Sequence, residues 1–117
     1  MTASNTISTH VLDTSLGKPA RGVFVVLERV ADDGAAMPIG GGTTDGDGRL
    51  RDLLSTGVAL EEGSYRLTFE TEQYFVSSQR STFFPTVAIT FRVGPGAEHY
   101  HVPLLISPFG YTTYRGS

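Results

Sequence analysis

His99-Tyr100-His101-Val102-Pro103-Leu104-Leu105-Ile106 runs into a short turn, Ser107-Pro108-Phe109-Gly110. Tyr111-Thr112-Thr113-Tyr114-Arg115-Gly116-Ser117 follows it. The first stretch has the period of a β-strand, in which successive side chains point to opposite faces. Tyr100, Val102, Leu104 and Ile106 then form an apolar core face, and His99, His101, Pro103 and Leu105 share the other. The closing stretch is aromatic and β-branched, and the pattern predicts a final strand rather than a free tail. The hairpin so formed gathers two imidazoles, several hydroxyls and an arginine. That outer face is part imidazole and part apolar, which suits a site or an interface better than a plain solvated surface.

Working outward, most of the chain repeats the same period. Ser64–Glu70 places Tyr65, Leu67 and Phe69 on one face, and Thr86–Val93 reads as a further strand. Val23–Leu27 is continuously apolar, the pattern of a strand buried on both faces. Gly-rich Ile39–Thr44 suits a sheet edge, and Asp45-Gly46-Asp47-Gly48 is a tight turn leading into Arg49. That turn hints at a calcium loop but is too short for an EF-hand and lacks its closing Glu. Ile7–Thr14 is a β-branched strand closed by a Gly17-Lys18-Pro19 turn. Thr71 is placed to cap one helix over Glu72–Gln79, anchored by Tyr74, Phe75 and Val76. About eight short strands and one short helix make an all-β fold, a two-sheet β-sandwich. No repeat or linker divides the 117 residues, so 1–117 is a single domain.

Composition narrows the function classes. Nine Lys and Arg against 12 Asp and Glu give a net charge of −3, with no basic block to track nucleic acid. Without cysteine there is neither a disulfide framework nor a thiolate zinc cluster. No stretch is long and apolar enough to span a bilayer. The N-terminus shows no signal peptide, so the expectation is a cytoplasmic protein, or a periplasmic one if a leader has been removed.

The candidate chemistry lies in the histidines. His99 and His101, two residues apart, point the same way, and His10 shares a strand face with Leu12. Imidazole serves as base, ligand or switch, and a plain polar surface accounts for such pairs about as well. Arg49 alone reads as a solvent-facing charge after a turn, and Tyr114 as core or edge filler.

Ser8-Thr9-His10-Val11-Leu12-Asp13-Thr14 followed by Gly17-Lys18-Pro19-Ala20 resembles the N-terminal signature of the transthyretin-like family. Thr44–Arg49 is similar to its middle motif. Tyr114-Arg115-Gly116-Ser117 resembles the tetrapeptide marking the hydroxyisourate hydrolase branch, and hormone carriers lack both that ending and the histidines. The resemblance covers nearly the whole chain. It implies a transthyretin-like sandwich that pairs through edge strands into dimers, and dimers that stack into a homotetramer. It implies hydrolysis of 5-hydroxyisourate to 2-oxo-4-hydroxy-4-carboxy-5-ureidoimidazoline in urate degradation, without metal or cofactor. Carried over by position, His10, Arg49, His101 and Ser117 are the catalytic set, and Tyr114, His99 and Thr112 contact the substrate. Ser117 is expected to hold one imidazole in its tautomer by its hydroxyl or its carboxylate. Two rival readings remain: a metallohydrolase using His10, His99 and His101, and a non-catalytic transthyretin-like small-ligand binder.

Overall fold

A computed structural model describes residues 5–117. Two sheets face each other. The first follows the order β2-β1-β8-β9, with β5 also paired to β1. The second follows β4-β3-β6-β7. The strands are β1 (Thr6–Asp13), β2 (Lys18–Pro19), β3 (Phe24–Val30), β4 (Ala36–Thr43), β5 (Arg49–Leu50), β6 (Gly63–Phe69), β7 (Val87–Val93), β8 (His99–Ser107) and β9 (Gly110–Thr113). Among the described residues there is one helix, α1 (Thr71–Ser77), which follows β6. Two of these nine strands are only two residues long, so the expected sandwich of about eight strands and one helix is what is found.

Alternation dictates the packing. Ile7 and Val11 of β1, Val25 and Leu27 of β3, Tyr65, Leu67 and Phe69 of β6, and Tyr100, Val102, Leu104 and Ile106 of β8 are all buried in one core. At about 25 cal/mol per Å² of apolar surface, each such side chain contributes roughly 1.5–3 kcal/mol before chain entropy is subtracted. The core faces of β6 and β8 match the reading from sequence.

Two details differ from that reading. Val23–Leu27 is buried on one face only: Val23, Val25 and Leu27 are buried, whereas Phe24 is exposed. A continuous apolar run does not reveal that one side lacks a covering layer. Thr71 is the first helical residue rather than the cap. Glu70 occupies the cap position without a side-chain bond. The Thr71 hydroxyl donates instead to the Phe84 carbonyl, and the Glu72 N–H donates to the Pro85 carbonyl. The loop thus satisfies the helix start that a local cap would have satisfied. Pro103, on the outer face of β8, is buried within the single chain.

Pro103 also explains where β9 stops. Leu104 pairs with Thr113 and Leu105 with Thr112. The same register would pair Pro103 with Tyr114, but proline has no N–H to give to the ladder. The Pro103 carbonyl takes a bond from the Thr113 hydroxyl at 2.8 Å, and regular pairing lapses. It resumes at Gly116, whose N–H donates to the His101 carbonyl at 2.8 Å. The tail is therefore held at a defined place beside β8.

Candidate active site

Sheet register assembles the site. β1 and β8 run parallel, pairing Thr6 with His99, Ser8 with His101 and His10 with Pro103. β5 pairs antiparallel with β1 and sets Arg49 opposite His10. Partners in register share a face, so His10, Arg49, His99 and His101 all stand on the outer face of the first sheet. The turn before Arg49 is built by its own residues. The Asp45 carboxylate accepts from the Asp47 and Arg49 N–H groups, each at 2.9 Å. Gly48 closes the turn at φ 74°, a conformation that favours glycine. Those bonds, chiefly the one from Arg49, hold the Asp45 carboxyl below its usual range. The stretch is thus a self-capped turn that aims Arg49.

A cavity of about 320 Å³ opens on this face, lined by Ser8, Thr9, Arg49, Arg51, His99, His101 and Ser117. Its size suits one small heterocycle. Two guanidinium groups beside two imidazoles make it a place for a planar, carbonyl-rich or anionic molecule. Arg51, two residues beyond Arg49, was not singled out from sequence, although the same period-two rule puts both on one side.

His101 is half-buried. Burial first, then the charges of Arg49, His99 and His10, lower its pKa from the ordinary 6.5. The ring is therefore neutral at neutral pH and can accept a proton. Its Nδ1 lies 2.8 Å from the Ser8 hydroxyl. The expected partner of an imidazole was Ser117. Ser117 lines the cavity, but the hydrogen bond of the ring is with Ser8. His10 lies beside the cavity rather than in its lining. Its Nε2 is 2.9 Å from the Asp47 carbonyl. A carbonyl only accepts, so Nε2 carries the proton and the neutral ring keeps its lone pair on Nδ1. Thr112 stands on the same sheet face, opposite Leu105, but outside the lining.

Tyr114 is placed elsewhere. It lines a second, largely apolar cavity of about 330 Å³ with Ile89, Phe91, Tyr100, Val102 and Arg115. The lapse in pairing opposite Pro103 turns Tyr114 and Arg115 towards β7. Arg115 lies over the Tyr100 ring, 4.7 Å from its centroid. Within one chain, then, Tyr114 does not meet the histidines. Among the described residues, no three His, Asp or Glu side chains come together in a cluster that could hold a metal ion.

Gly116 touches the site through its lack of a side chain. A Cβ there would stand 2.5 Å from Cδ2 of His101 and 3.3 Å from Cγ. The backbone passes flat against the imidazole, and any larger residue must displace the ring. Gly116→Ala is therefore expected to lower turnover about tenfold or more through misplacement of His101, with the fold retained. Steady-state kinetics beside a thermal melt checks this. Unchanged turnover would show that the ring has room to yield.

The chain is similar to known proteins over nearly its whole length. The family model for the HIUase/Transthyretin family matches residues 7–116. A 5-hydroxyisourate hydrolase of Salmonella typhi is 49% identical over 114 residues, covering 97% of this chain and 82% of the relative. The solved 5-hydroxyisourate hydrolase of Klebsiella pneumoniae superposes with a TM-score of 0.84 at 38% identity, covering 97% of this chain and 99% of that one. Sea bream transthyretin in complex with thyroxine superposes with a TM-score of 0.87 at 29% identity, covering 95% and 94%. By sequence, by fold and by the match across nearly its whole length, the chain belongs to the HIUase/Transthyretin family.

Proposed function

We propose that the chain hydrolyses 5-hydroxyisourate in the cavity bounded by Arg49, His99 and His101. The observation that carries this reading is the cavity's lining, cationic and imidazole-rich where a carrier for an apolar hormone needs apolar walls. Relatives named as 5-hydroxyisourate hydrolases at 42–49% identity support it. The substrate's six-membered ring contains an acyl–nitrogen bond. Water adds to the acyl carbon, the C–N bond breaks, and the leaving nitrogen gains a proton as the acid forms. Neutral His101 suits the base that activates the water. The Arg49 fork suits the oxygen on which negative charge develops. His10, its lone pair fixed on Nδ1, and Ser117 flank the same space, and Thr112 stands at its margin. None of these steps calls on a metal.

The edges support a homotetramer, a dimer of dimers. β7 and β9 are both edge strands. The apolar cavity containing Tyr114 lies between β7 and the tail. Unpaired strand edges beside apolar surface favour pairing with a second copy.

One experiment tests the reading: ultraviolet decay of 5-hydroxyisourate freshly made from urate and urate oxidase. The chain should accelerate decay, retain its activity in EDTA, and scatter light as four chains at micromolar concentration. Loss in EDTA reversed by stoichiometric zinc would favour a metallohydrolase. No acceleration, with tight binding of a small aromatic ligand, would favour a carrier. Full activity in a monomer would remove the assembly from the mechanism.

A further inference from the structure

Ser8 stands between two imidazoles. Its Oγ lies 2.8 Å from Nδ1 of His101 and 2.9 Å from Nε2 of His99. The chain continues: Nδ1 of His99 lies 2.6 Å from the Thr6 hydroxyl. Four side chains from two parallel strands thus form one hydrogen-bonded row, Thr6–His99–Ser8–His101. The row exists because β1 and β8 are in register, Thr6 opposite His99 and Ser8 opposite His101. The far nitrogen of His101, Nε2, bonds to no described residue, and the ring lines the cavity.

A serine hydroxyl has one proton and a neutral imidazole has one N–H. Those counts restrict the row. If Nδ1–H of His101 donates to Ser8, the Ser8 hydroxyl donates to Nε2 of His99, which must then carry its proton on Nδ1 and donate to Thr6. If the row runs the other way, Thr6 donates to Nδ1 of His99, Nε2–H of His99 donates to Ser8, and Ser8 donates to Nδ1 of His101. In the first polarity both rings are Nδ1–H and His101 offers a lone pair on Nε2. In the second both rings are Nε2–H and His101 offers a proton there. In both polarities the two rings share one tautomer; only a Ser8 hydroxyl that accepted from both rings and gave its proton to neither would leave them opposite.

We propose that Ser8 is a positioning residue that locks the tautomers of His99 and His101 together and relays a proton between them during hydrolysis. The step balances without any further reactant. The water loses a proton to Nε2 of His101 as its oxygen bonds to the acyl carbon. His101 passes its Nδ1 proton to Ser8, and the Ser8 proton passes to Nε2 of His99. His99 is now the cation, and neutral His101 holds Nε2–H. As the C–N bond breaks the row runs back: Nε2 of His99 returns its proton to Ser8, and Ser8 gives one to Nδ1 of His101. His101, again a cation, gives its Nε2 proton to the leaving nitrogen, which leaves both rings neutral and His101 in its starting form.

Electrostatics gives the relay its purpose. The groups facing His101 are His10 from β1, Arg49 and Arg51 from β5 and the residue after it, His99 on its own strand, and Ser117 of the tail. A cation on His101 is half-buried and faces Arg49. His99 is exposed, and a charge moved there is solvated. Ser8 lets the base act without keeping the charge it acquires.

This inference rests on the hydrolase reading for its chemistry but not for its geometry, so the test has two arms. In ¹⁵N spectra of the ligand-free protein above the pH at which the rings protonate, His99 and His101 should show the same tautomer. Ser8→Ala should uncouple them. In kinetics, Ser8→Ala should lower kcat by roughly tenfold to a hundredfold with KM little changed, since a misoriented base is a transition-state loss. Ser8→Thr, which keeps the hydroxyl, should restore most of it. Opposite tautomers in the unaltered protein would overturn the relay even if Ser8→Ala failed to fold. So would a folded Ser8→Ala with full kcat. Coupled tautomers in a protein that hydrolyses nothing would instead sink the hydrolase reading and leave the coupling standing.

Discussion

Replacing His101 by Asn lowers the hydrolytic rate by about a hundredfold or more, the scale of a positioned acid–base group, and leaves the thermal melt near that of the parent. The ring projects from the outer face of the first sheet, so no core contact is lost. Asn is similar in length and still offers an amide to Ser8, but it takes up no proton. Arg49→Lys loses much of the rate too, because Lys keeps the charge and loses the planar fork. The unaltered enzyme's rate carries a signature of the same residue. Burial, and then the cations around it, hold the His101 pKa below 6.5. The neutral, active form is present above that pKa and is lost as pH falls through it. The acid limb of kcat/KM should therefore lie below 6.5. A limb above 6.5, or an Asn variant with parental turnover, would move the base to another residue.

Replacing Arg80 by Ala has the largest expected effect on stability. Asp13, at the end of β1, is fully buried, and its carboxylate collects bonds from four residues. The Ser15 hydroxyl and N–H, the Leu16 N–H, the Tyr74 hydroxyl at 2.8 Å and the Arg80 guanidinium at 2.7 Å all donate to it. Arg80 also lies over the Phe75 ring, 5.0 Å from its centroid. The cluster fastens helix α1 and the segment after it to the first sheet. Burial alone would raise the Asp13 carboxyl; bonds from Arg80, Ser15 and Tyr74 bring it below its usual range. Burial and the bond to Asp13 push the Tyr74 hydroxyl up to about 12, so it remains a donor.

Removing one partner of a buried ion pair costs about 3–5 kcal/mol. The lower end applies here, because Arg80 is partly exposed and Asp13 keeps its other donors. A loss of roughly 3 kcal/mol corresponds to about 10 °C in the melt of a domain this size. Activity below the melt should survive, since the cluster lies apart from the histidine cavity. The pH dependence follows from the sign of the Asp13 shift. A depressed carboxyl pKa stabilises the fold above its unfolded value and is lost as pH falls through the folded value. Arg80→Ala should therefore also unfold at a higher pH during acid titration. Equal melts and equal acid midpoints would show that the remaining donors suffice.

What the sequence made legible was whatever depends on near neighbours in the chain. Period two in residues 99–106 named the core face and placed both histidines on the other. Asp45–Gly48 declared its turn because both its capping carboxylate and its left-handed glycine are local. The readings that differed depended on what lies across the sandwich. Nothing near Thr71 reveals that Phe84 and Pro85 satisfy the helix start. Nothing in Val23–Leu27 reveals which face is left open. Tyr114 followed the strand pattern until Pro103, on another strand, removed the N–H that would have held it. The role of Ser8 was hidden for the same reason: its residue type was visible, but its position between two rings 91 and 93 residues away is a fact of register.

That register governs when the enzyme becomes an enzyme. A parallel pair needs a crossover, and here most of the chain, residues 14–98, is the crossover between β1 and β8. Contacts of such long sequence separation close slowly and late in folding. Local elements such as the β6–β7 pair can form while the histidine row does not yet exist. During synthesis, His10 leaves the ribosome long before His101, and the edge of the first strand that β8 will cover must wait open for its neighbour. Turnover thus reports the slowest contacts of the fold. In a refolding experiment the return of activity should trail the return of strand signal.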